Sequence, residues 1–357
     1  MFLGNSTWGI APGGGLACES AAPTLTRCTF AGNSAASGGG LYCLDSNPTL
    51  TECVFSDNTA FCIGGGAGGL SAAPTFIQCT FSGNSAMGGG GLGWILQPSP
   101  TIAECLFLDN TAGDNGGGGI YCSGASPSIM NCTLVGNGAG TGGGIICYYE
   151  SYPTIGNTII AFSTQGEAVG CIEEASPTLV CCDLFGNAGG DWVGCIANQS
   201  GVDGNISGEP LFCGSSNPEA PYTLHADSPC AAYSPPNHEC DLIGAYPVGC
   251  GAGAAAEELH RGSALDFTSC APNPFRLTTQ IAYSISAASV SSFVTLAVYD
   301  PAGRLVRTLV HAPHLMGIHR VSWNGADDAR RPVEGGIYFA RLSLNDETRT
   351  TRLILVR

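Results

Sequence analysis

The sequence predicts an all-β protein, in which a parallel β-helix solenoid is followed by a small immunoglobulin-like β-sandwich. Residues 1–200 repeat with a period of about 26 residues, and most repeats carry a glycine run. Residues 271–357 instead contain six or seven short strand patterns separated by turns. A fixed period of roughly 20 to 50 residues indicates a solenoid, a propeller or another repeat array. We therefore expect two folded parts.

The repeat consists of a proline and four positions at fixed distances after it. The prolines are Pro23, Pro48, Pro74, Pro100, Pro127, Pro153 and Pro177. A large apolar residue follows two positions later, and Phe, Leu or Ile follows seven positions later. Five positions after the proline, six repeats have a cysteine: Cys28, Cys53, Cys79, Cys105, Cys132 and Cys182. Ten positions after it, six repeats have an asparagine: Asn33, Asn58, Asn84, Asn110, Asn137 and Asn187.

A repeat of this length has room for three short strands and three turns, which make one coil of a parallel β-helix. Long helices are excluded, because each glycine costs a helix about 1 kcal/mol relative to alanine. Equivalent residues of stacked strands lie about 4.8 Å apart, so the cysteine and phenylalanine columns are expected to fill the core. The asparagine column is expected to satisfy a turn by bonding to the next coil. Polar residues four and six positions after the proline predict a strand that alternates in and out around the cysteine.

The motif Phe-x-x-Asn, paired with Gly-Gly-Leu or Gly-Gly-Ile, resembles the repeats of the polymorphic outer membrane proteins of chlamydiae. The motif occurs in Phe30–Asn33, Phe55–Asn58, Phe81–Asn84 and Phe107–Asn110. More broadly, residues 1–200 resemble bacterial right-handed parallel β-helix proteins with a pectin-lyase-like fold. The resemblance implies the fold but not an activity, because this architecture carries lyases, hydrolases, adhesins and inert stalks alike.

The opening segment MFLGNS places Phe2 and Asn5 on the phenylalanine and asparagine columns. The proline and cysteine of that coil would then precede residue 1. We therefore expect further coils upstream, and a signal peptide that is missing from this sequence.

The charge of the chain is divided unevenly between its two parts. Residues 1–260 hold one arginine and 21 acidic residues, a net charge of −20, whereas residues 261–357 have a net charge of +4. An acidic solenoid repels nucleic acid and anionic membranes, so neither is an expected partner. The chain has no lysine, which excludes a Walker lysine and a Schiff base. No cofactor, no metal site and no transmembrane helix is expected.

Nineteen cysteines are present, and those of the repeat column are expected to be reduced core thiols, with some inter-coil disulfides as the alternative. Residues 201–250 interrupt the period and are rich in proline, asparagine and serine. This segment is expected to be a disulfide-stapled cap that closes the open end of the solenoid. Cys230–Cys240 is the preferred bridge and Cys213–Cys250 the second. Residues 251–270 are interpreted as a linker.

Residues 271–357 resemble the FlgD-type immunoglobulin-like domain and the C-terminal sorting domain of the type IX secretion system. The resemblance rests on APNPF at 271–275, VYDPAGRLVRTL at 298–309, WNGADDARRPV at 323–333 and GIYFARL at 336–342. It implies a secreted protein attached to the outer membrane of a bacterial cell, with residues 271–357 recognised by the secretion machinery. The final RLILVR has arginine where such tails commonly have lysine.

Few residues of the repeats are candidates for catalysis or ligand binding. Glu150 and Glu174 both lie three positions before a proline, so they are expected on adjacent coils beside Glu173, as in a glycosidase carboxylate pair. A solvated acidic turn is the preferred interpretation of these glutamates, and the catalytic pair is the alternative. Arg27 is the solenoid's one candidate lyase base, but a residue on a solvated strand face is the preferred interpretation. The aromatic residues Trp8, Trp94 and Tyr148–Tyr149 are candidate sugar-stacking groups, with packing at turns as the preferred interpretation.

The function predicted from the sequence is a secreted or surface-displayed structural, adhesin-like protein with no catalytic residues, whose ligand is a surface glycan or a protein. The alternative is a carbohydrate-active enzyme, either a polysaccharide lyase or a glycoside hydrolase, for which Glu150 and Glu174 would be the catalytic pair.

Overall fold

The computed structural model divides the chain into two compact units, Met1–Ala254 and Ala255–Arg357. The structure describes residues 1–7, 11–97, 99–218, 220–251, 265–271, 273, 275–285, 293–301, 303–313, 317–329, 331–344 and 347–356. Most of the expected linker, residues 252–264, lies outside these ranges.

The first unit is a parallel β-solenoid with four parallel sheets, three of which have seven or eight strands along the solenoid, whereas the fourth has only four. We name the sheets by their place in the repeat. The glycine sheet follows the glycine runs and contains Leu16–Glu19, Leu41–Leu44, Ala67–Leu70, Leu92–Ile95, Ile120–Ser123, Ile145–Tyr148 and Val169–Ile172. The proline sheet contains Thr24–Thr26, Thr49–Thr51, Thr75–Ile77, Thr101–Ala103, Ser128–Met130, Thr154–Gly156 and Thr178–Val180.

Two further sheets are present, one along the solenoid and one in four coils only. The phenylalanine sheet contains Phe2–Leu3, Thr29–Ala31, Val54–Ser56, Thr80–Ser82, Leu106–Leu108, Thr133–Val135, Ile159–Ala161 and Asp183–Phe185. The short sheet contains Ser34–Ala35, Thr59–Ala60, Ser85–Ala86 and Thr111–Ala112. The sequence predicted three strands in each coil, so the two-residue strands of the short sheet are an addition to that prediction.

The predicted columns form the core. Phe30, Phe55, Phe81 and Phe107 are fully buried, and neighbouring rings stack with centroids 4.7 to 4.8 Å apart. The column cysteines are free thiols, and all except the half-buried Cys28 are buried. The column asparagines are also buried, and each of those from Asn33 to Asn110 accepts and donates side-chain hydrogen bonds between coils. The in-register stacking predicted from the sequence is therefore confirmed.

The residue four positions after each proline is a corner and not part of a strand. Arg27, Glu52, Gln78 and Glu104 have φ between 52° and 54°, which is the left-handed region that L-residues seldom adopt. This residue turns the chain from the proline sheet into the phenylalanine sheet. The predicted alternation around the cysteine is therefore wrong at this position. A polar side chain on a sharp corner is as exposed as one on the outer face of a strand, so the sequence pattern does not distinguish the two.

Residues 201–250, which we call the side segment, cover the last coil of the solenoid only with their first residues. Ile206 pairs with Asp183 of the last phenylalanine-sheet strand, and Asn205 Oδ1 accepts from the Cys182 amide at 2.9 Å. The 3-10 helix Gly194–Gln199 packs against the last strands of the glycine and proline sheets, and its Ile196 joins the solenoid core. The rest of the side segment packs along the outside of the phenylalanine sheet, where the amide of Ala245 donates to Thr133 Oγ1 at 2.9 Å. It contains the 3-10 helix Gly214–Ser216 and the paired strands Leu224–His225 and Val248–Cys250.

Three disulfides form among the described residues, namely Cys171–Cys195, Cys181–Cys240 and Cys213–Cys250. The preferred Cys230–Cys240 bridge is wrong, because Cys240 bonds to Cys181 on the solenoid wall. Cys230 is a buried free thiol. Cys213–Cys250, the second expected bridge, is present.

The second unit has two antiparallel sheets. One contains Leu265–Ala271, Thr279–Ile285 and Gly317–Trp323, and the other contains Leu305–Pro313, Phe293–Tyr299, Gly336–Leu344 and Glu347–Leu355. Tyr283 and Trp323 of the first sheet share one buried cluster with Leu296 and Leu342 of the second. The predicted order of a parallel solenoid followed by a small antiparallel β-unit is confirmed.

Candidate functional site

The predicted carboxylate pair lies on an open corner of the solenoid. Glu150, Glu173 and Glu174 are exposed and occupy the turn that follows the glycine sheet, with φ between 47° and 61°. The amide of Glu150 donates to the Glu173 carbonyl at 3.0 Å, so the two coils stack in register here. Glu150 therefore lies on the coil next to that of Glu173 and Glu174, as the sequence predicted. They line neither of the cavities described below, and Glu173 accepts a 3.0 Å hydrogen bond from the Tyr148 hydroxyl.

Two other predicted groups serve packing or surface pairing. Trp94 is buried, and its Nε1 donates to the Ala72 carbonyl at 2.7 Å, so it is a core residue and not a sugar platform. Arg27 forms an exposed ion pair with Glu52 at 2.7 Å. The hydrogen bond to Glu52 raises the pKa of Arg27, which opposes a role as a proton-abstracting base. Trp8 lies outside the described residues.

Tyr148 and Tyr149 differ in their surroundings. Tyr148 is half-buried, and its ring stacks on Tyr121 with centroids 6.3 Å apart. Tyr149 is exposed and occupies the corner. These two residues, with the glutamates, form a polar aromatic edge without an enclosing cavity.

Two buried core thiols, those of Cys122 and Cys182, are held in their protonated form. Burial raises the pKa of Cys122 and of Cys182 to about 12. The thiolate is the nucleophilic and metal-binding form of cysteine, so these thiols act as small apolar core groups. Among the residues that the structure describes, no group of His, Cys, Asp and Glu has the arrangement of a metal site.

Asp183 is a buried carboxyl group on the outer face of the phenylalanine sheet, beneath the side segment. Its Oδ1 accepts from the Gly208 amide at 2.9 Å, and its Oδ2 accepts from the Cys230 thiol at 3.0 Å. Burial raises the pKa of Asp183 to about 7. Asp183 and Cys230 therefore form a polar contact inside the otherwise apolar interface between the side segment and the sheet.

A cavity of about 520 Å³ lies where the side segment meets the solenoid, and we call it the side pocket. Its lining residues are Phe162, Glu209, Leu211, Phe212, His225 and Asp227. This volume is within the range of roughly 300–1,000 Å³ that is typical of small-ligand pockets. All of these residues except Phe162 come from the aperiodic segment, so the repeat pattern gave no signal for them.

Backbone pairing and one disulfide hold the wall of the side pocket in place. The amide of His225 donates to the Leu211 carbonyl at 2.8 Å, and Phe212 forms an antiparallel bridge with Leu224. Cys213, next to Phe212, is bonded to Cys250, which pairs with His225 in the short parallel ladder. The pocket is therefore built on a cross-linked frame and not on a free loop.

A second, shallower groove of about 440 Å³ runs along the short sheet. Its lining includes Ala35, Ala60 and Ala86, with the exposed side chains of Phe61 and Met87 at its edge. This groove is apolar and has no carboxylate among its lining residues, so it offers packing surface but no acid–base group.

Comparison with known protein families agrees with both parts of the fold. Residues 273–347 match the FlgD Ig-like domain. Residues 27–44 and 104–123 match the Chlamydia polymorphic membrane protein repeat. No curated protein and no solved structure matches the chain significantly. Within the described residues, no helix is both long enough and apolar enough to cross a membrane.

The resemblance of the repeats to the chlamydial polymorphic membrane protein repeat and that of residues 271–357 to the FlgD Ig-like domain are therefore confirmed. The repeat match and the β-solenoid together fit a structural protein of the outer membrane or cell surface.

Proposed function

We propose that this chain is a secreted, surface-displayed structural protein whose solenoid projects a rigid scaffold from the cell. The proposal rests on one observation above all, namely that the repeated positions are used for the core and the corners. The phenylalanine and cysteine columns fill the interior, and the asparagine column bonds coil to coil. Surface solenoids use their stacked repeats in this way, to extend a binding or spacing surface.

The second unit is proposed to serve export or attachment. It has its own buried core and matches a domain family that differs from that of the solenoid repeats. Its net charge of +4 over residues 261–357 contrasts with −20 over residues 1–260. A basic domain is suited to contact an acidic component of the secretion machinery or of the cell surface, and recognition by a type IX system is one form of this proposal.

We further propose that the chain is not an enzyme. Glu150 and Glu174 are exposed on a corner, whereas a catalytic acid normally depends on burial to keep its proton near neutral pH. The single arginine of the solenoid is paired with Glu52. These features support binding or scaffolding over hydrolysis or β-elimination.

Surface display can be tested through Cys62, which is a free and exposed cysteine. Intact cells that produce the full chain would be treated with a membrane-impermeant maleimide, because the absence of lysine makes amine labelling uninformative. We expect labelling of the wild type, a strongly reduced signal in Cys62→Ser, and no labelling after deletion of residues 265–357. Labelling only after cell lysis would contradict surface display. Unchanged labelling of the deletion variant would contradict the role of the second unit.

A further inference from the structure

We propose that the side pocket binds a cationic group, either the guanidinium of an arginine side chain or a small organic ammonium ion. The pocket combines two carboxylates, Glu209 and Asp227, with two phenylalanine rings, Phe162 and Phe212. The inference concerns the first unit alone and stands whether or not the chain reaches the cell surface.

The charge around the pocket favours a cation. Glu209 and Asp227 are both exposed, so their oxygens are available for charge-assisted hydrogen bonds with an N–H donor. Residues 1–251 contain one arginine, Arg27, and no lysine, and Arg27 forms an ion pair with Glu52. His225 also lines the pocket, with its Nδ1 3.5 Å from Asp227 Oδ2. The field of the solenoid therefore attracts cations and disfavours phosphorylated, sulfated or carboxylated ligands.

The aromatic walls also favour a cation over a neutral sugar. A guanidinium or ammonium ion is stabilised by about 0.5–2 kcal/mol when it lies over the face of an aromatic ring. Phe162 has 38% of its surface exposed and packs edge-on against Phe185, with ring centroids 5.8 Å apart. Phe212 packs in the same way against Tyr222 at 5.6 Å. Both rings are held in place by aromatic neighbours before any ligand arrives.

The frame of the pocket limits how far its walls can rearrange. The imidazole of His225 lies against the backbone of Gly251, where an added Cβ would come within 2.6 to 2.9 Å of three ring atoms. Gly251 also has a φ of 91°, which a residue with a side chain rarely adopts. The neighbouring Cys213–Cys250 disulfide ties the two walls together. Because these walls are already ordered, binding of a ligand loses less conformational entropy.

Isothermal titration calorimetry of the purified full chain at pH 8 and low salt tests this inference. The probes are N-acetyl-arginine amide and its uncharged analogue N-acetyl-citrulline amide, which differ in the charge of the terminal group. Phenethylamine represents a free small amine, and an arginine-containing peptide represents a protein-borne group. A neutral oligosaccharide is the competing ligand class.

We expect the arginine probe to bind at least tenfold more tightly than the citrulline probe, and to weaken as salt is raised. The double variant Glu209→Gln/Asp227→Asn should weaken binding about tenfold or more. The control Glu150→Gln/Glu174→Gln removes the same net charge elsewhere and should leave binding nearly unchanged. Phe162→Leu should weaken binding of the arginine probe without unfolding the side segment. Unchanged amide exchange in residues 241–247 would verify that the segment stays folded.

Three results would overturn the proposal. These are equal binding of the citrulline and arginine probes, equal weakening by the two double variants, and binding of the neutral oligosaccharide in preference to both cations. Tighter binding of phenethylamine would identify a free amine as the source of the cation, whereas tighter binding of the peptide would identify a protein partner.

Discussion

The buried asparagines show how a single residue type can hold neighbouring coils in register. The amide and Nδ2 of Asn58 both donate to Asn84 Oδ1, at 3.0 and 2.9 Å. Asn84 Nδ2 in turn donates to the Phe55 carbonyl and to Asn110 Oδ1. Each side chain therefore satisfies backbone and side-chain groups on both sides of its own coil, which an apolar residue of similar size could not do.

Replacement of Asn84 by alanine should lower the free energy of unfolding by about 2 to 4 kcal/mol. The change removes four hydrogen bonds and leaves buried donors and acceptors without partners, each of which costs about 1–3 kcal/mol. Urea unfolding followed by circular dichroism measures the effect. Asn115→Ala, at an exposed position, is the matched control and should shift stability by less than about 0.5 kcal/mol. Equal effects of the two variants would contradict a structural role for the ladder.

Asp183 makes stability depend on pH in a direction opposite to that of most carboxylates. Its pKa is raised by burial from 3.8 to about 7, so the folded protein favours the protonated form. The stabilisation that the protonated Asp183 adds to the free energy of unfolding is fully present below about pH 4 and is lost as the pH rises to about 7. Relative to Asp183→Asn, the wild type should lose about 1.4 kcal/mol for each pH unit in this window.

This dependence is measured as the difference between the urea midpoints of the two proteins from pH 4 to pH 8. All other titrating groups are shared, so the difference isolates Asp183 and its partners, the Cys230 thiol and the Gly208 amide. A difference that stays constant with pH would show that Asp183 is ionised in the folded protein.

At the scale of elements, the sequence predicted the columns but not the corners between them. Cysteine, phenylalanine and asparagine recur because their side chains face the interior, and this recurrence is visible in the sequence. The corner residue at Arg27, Glu52 and Gln78 is defined by a positive φ, which varied polar side chains do not reveal. The short sheet was missed for a related reason, since two-residue strands such as Thr59–Ala60 leave no alternating pattern.

The placement of the side segment could not be read from the sequence. Four cysteines in a turn-rich stretch indicated disulfides within that stretch, yet Cys240 bonds to Cys181, 59 residues away. Cys181 lies directly before the column residue Cys182, so in the repeat it looks like a neighbour of a core thiol. It occupies the corner position, where its side chain points out of the coil and can reach the side segment.

Loss of the Cys181–Cys240 bridge should loosen the side segment while the solenoid stays folded. Cys181→Ser/Cys240→Ser removes a cross-link that is expected to stabilise the folded state by about 2–4 kcal/mol. Hydrogen–deuterium exchange should become faster at Gly244 and Ala245, whose amides bond to Asn157 and Thr133. Peptides within residues 41–112 should keep their protection, and Cys62→Ser should change neither region. Unchanged exchange at residues 244–245 would show that the apolar interface alone holds the segment.

At the scale of the whole molecule, the periodic part of the chain was predictable and the aperiodic part was not. The solenoid follows from repeated residues, and the second unit follows from strand patterns such as Gly336–Leu344. The side pocket depends on contacts between Phe162 in the repeats and residues 209–227 in the side segment. Such long-range packing has no local signal, so the candidate site became visible only in the folded structure.

The central proposal is that the repeat builds a scaffold and that the chain is not an enzyme. The most direct measurement is turnover of a panel of neutral and acidic polysaccharides by the purified full chain. Released reducing ends report hydrolysis, and unsaturated products report elimination. We predict rates equal to the buffer background, and equal to those of Glu150→Gln and Glu174→Gln. Turnover above background that disappears in either variant would contradict the proposal and identify the chain as a glycoside hydrolase or a lyase.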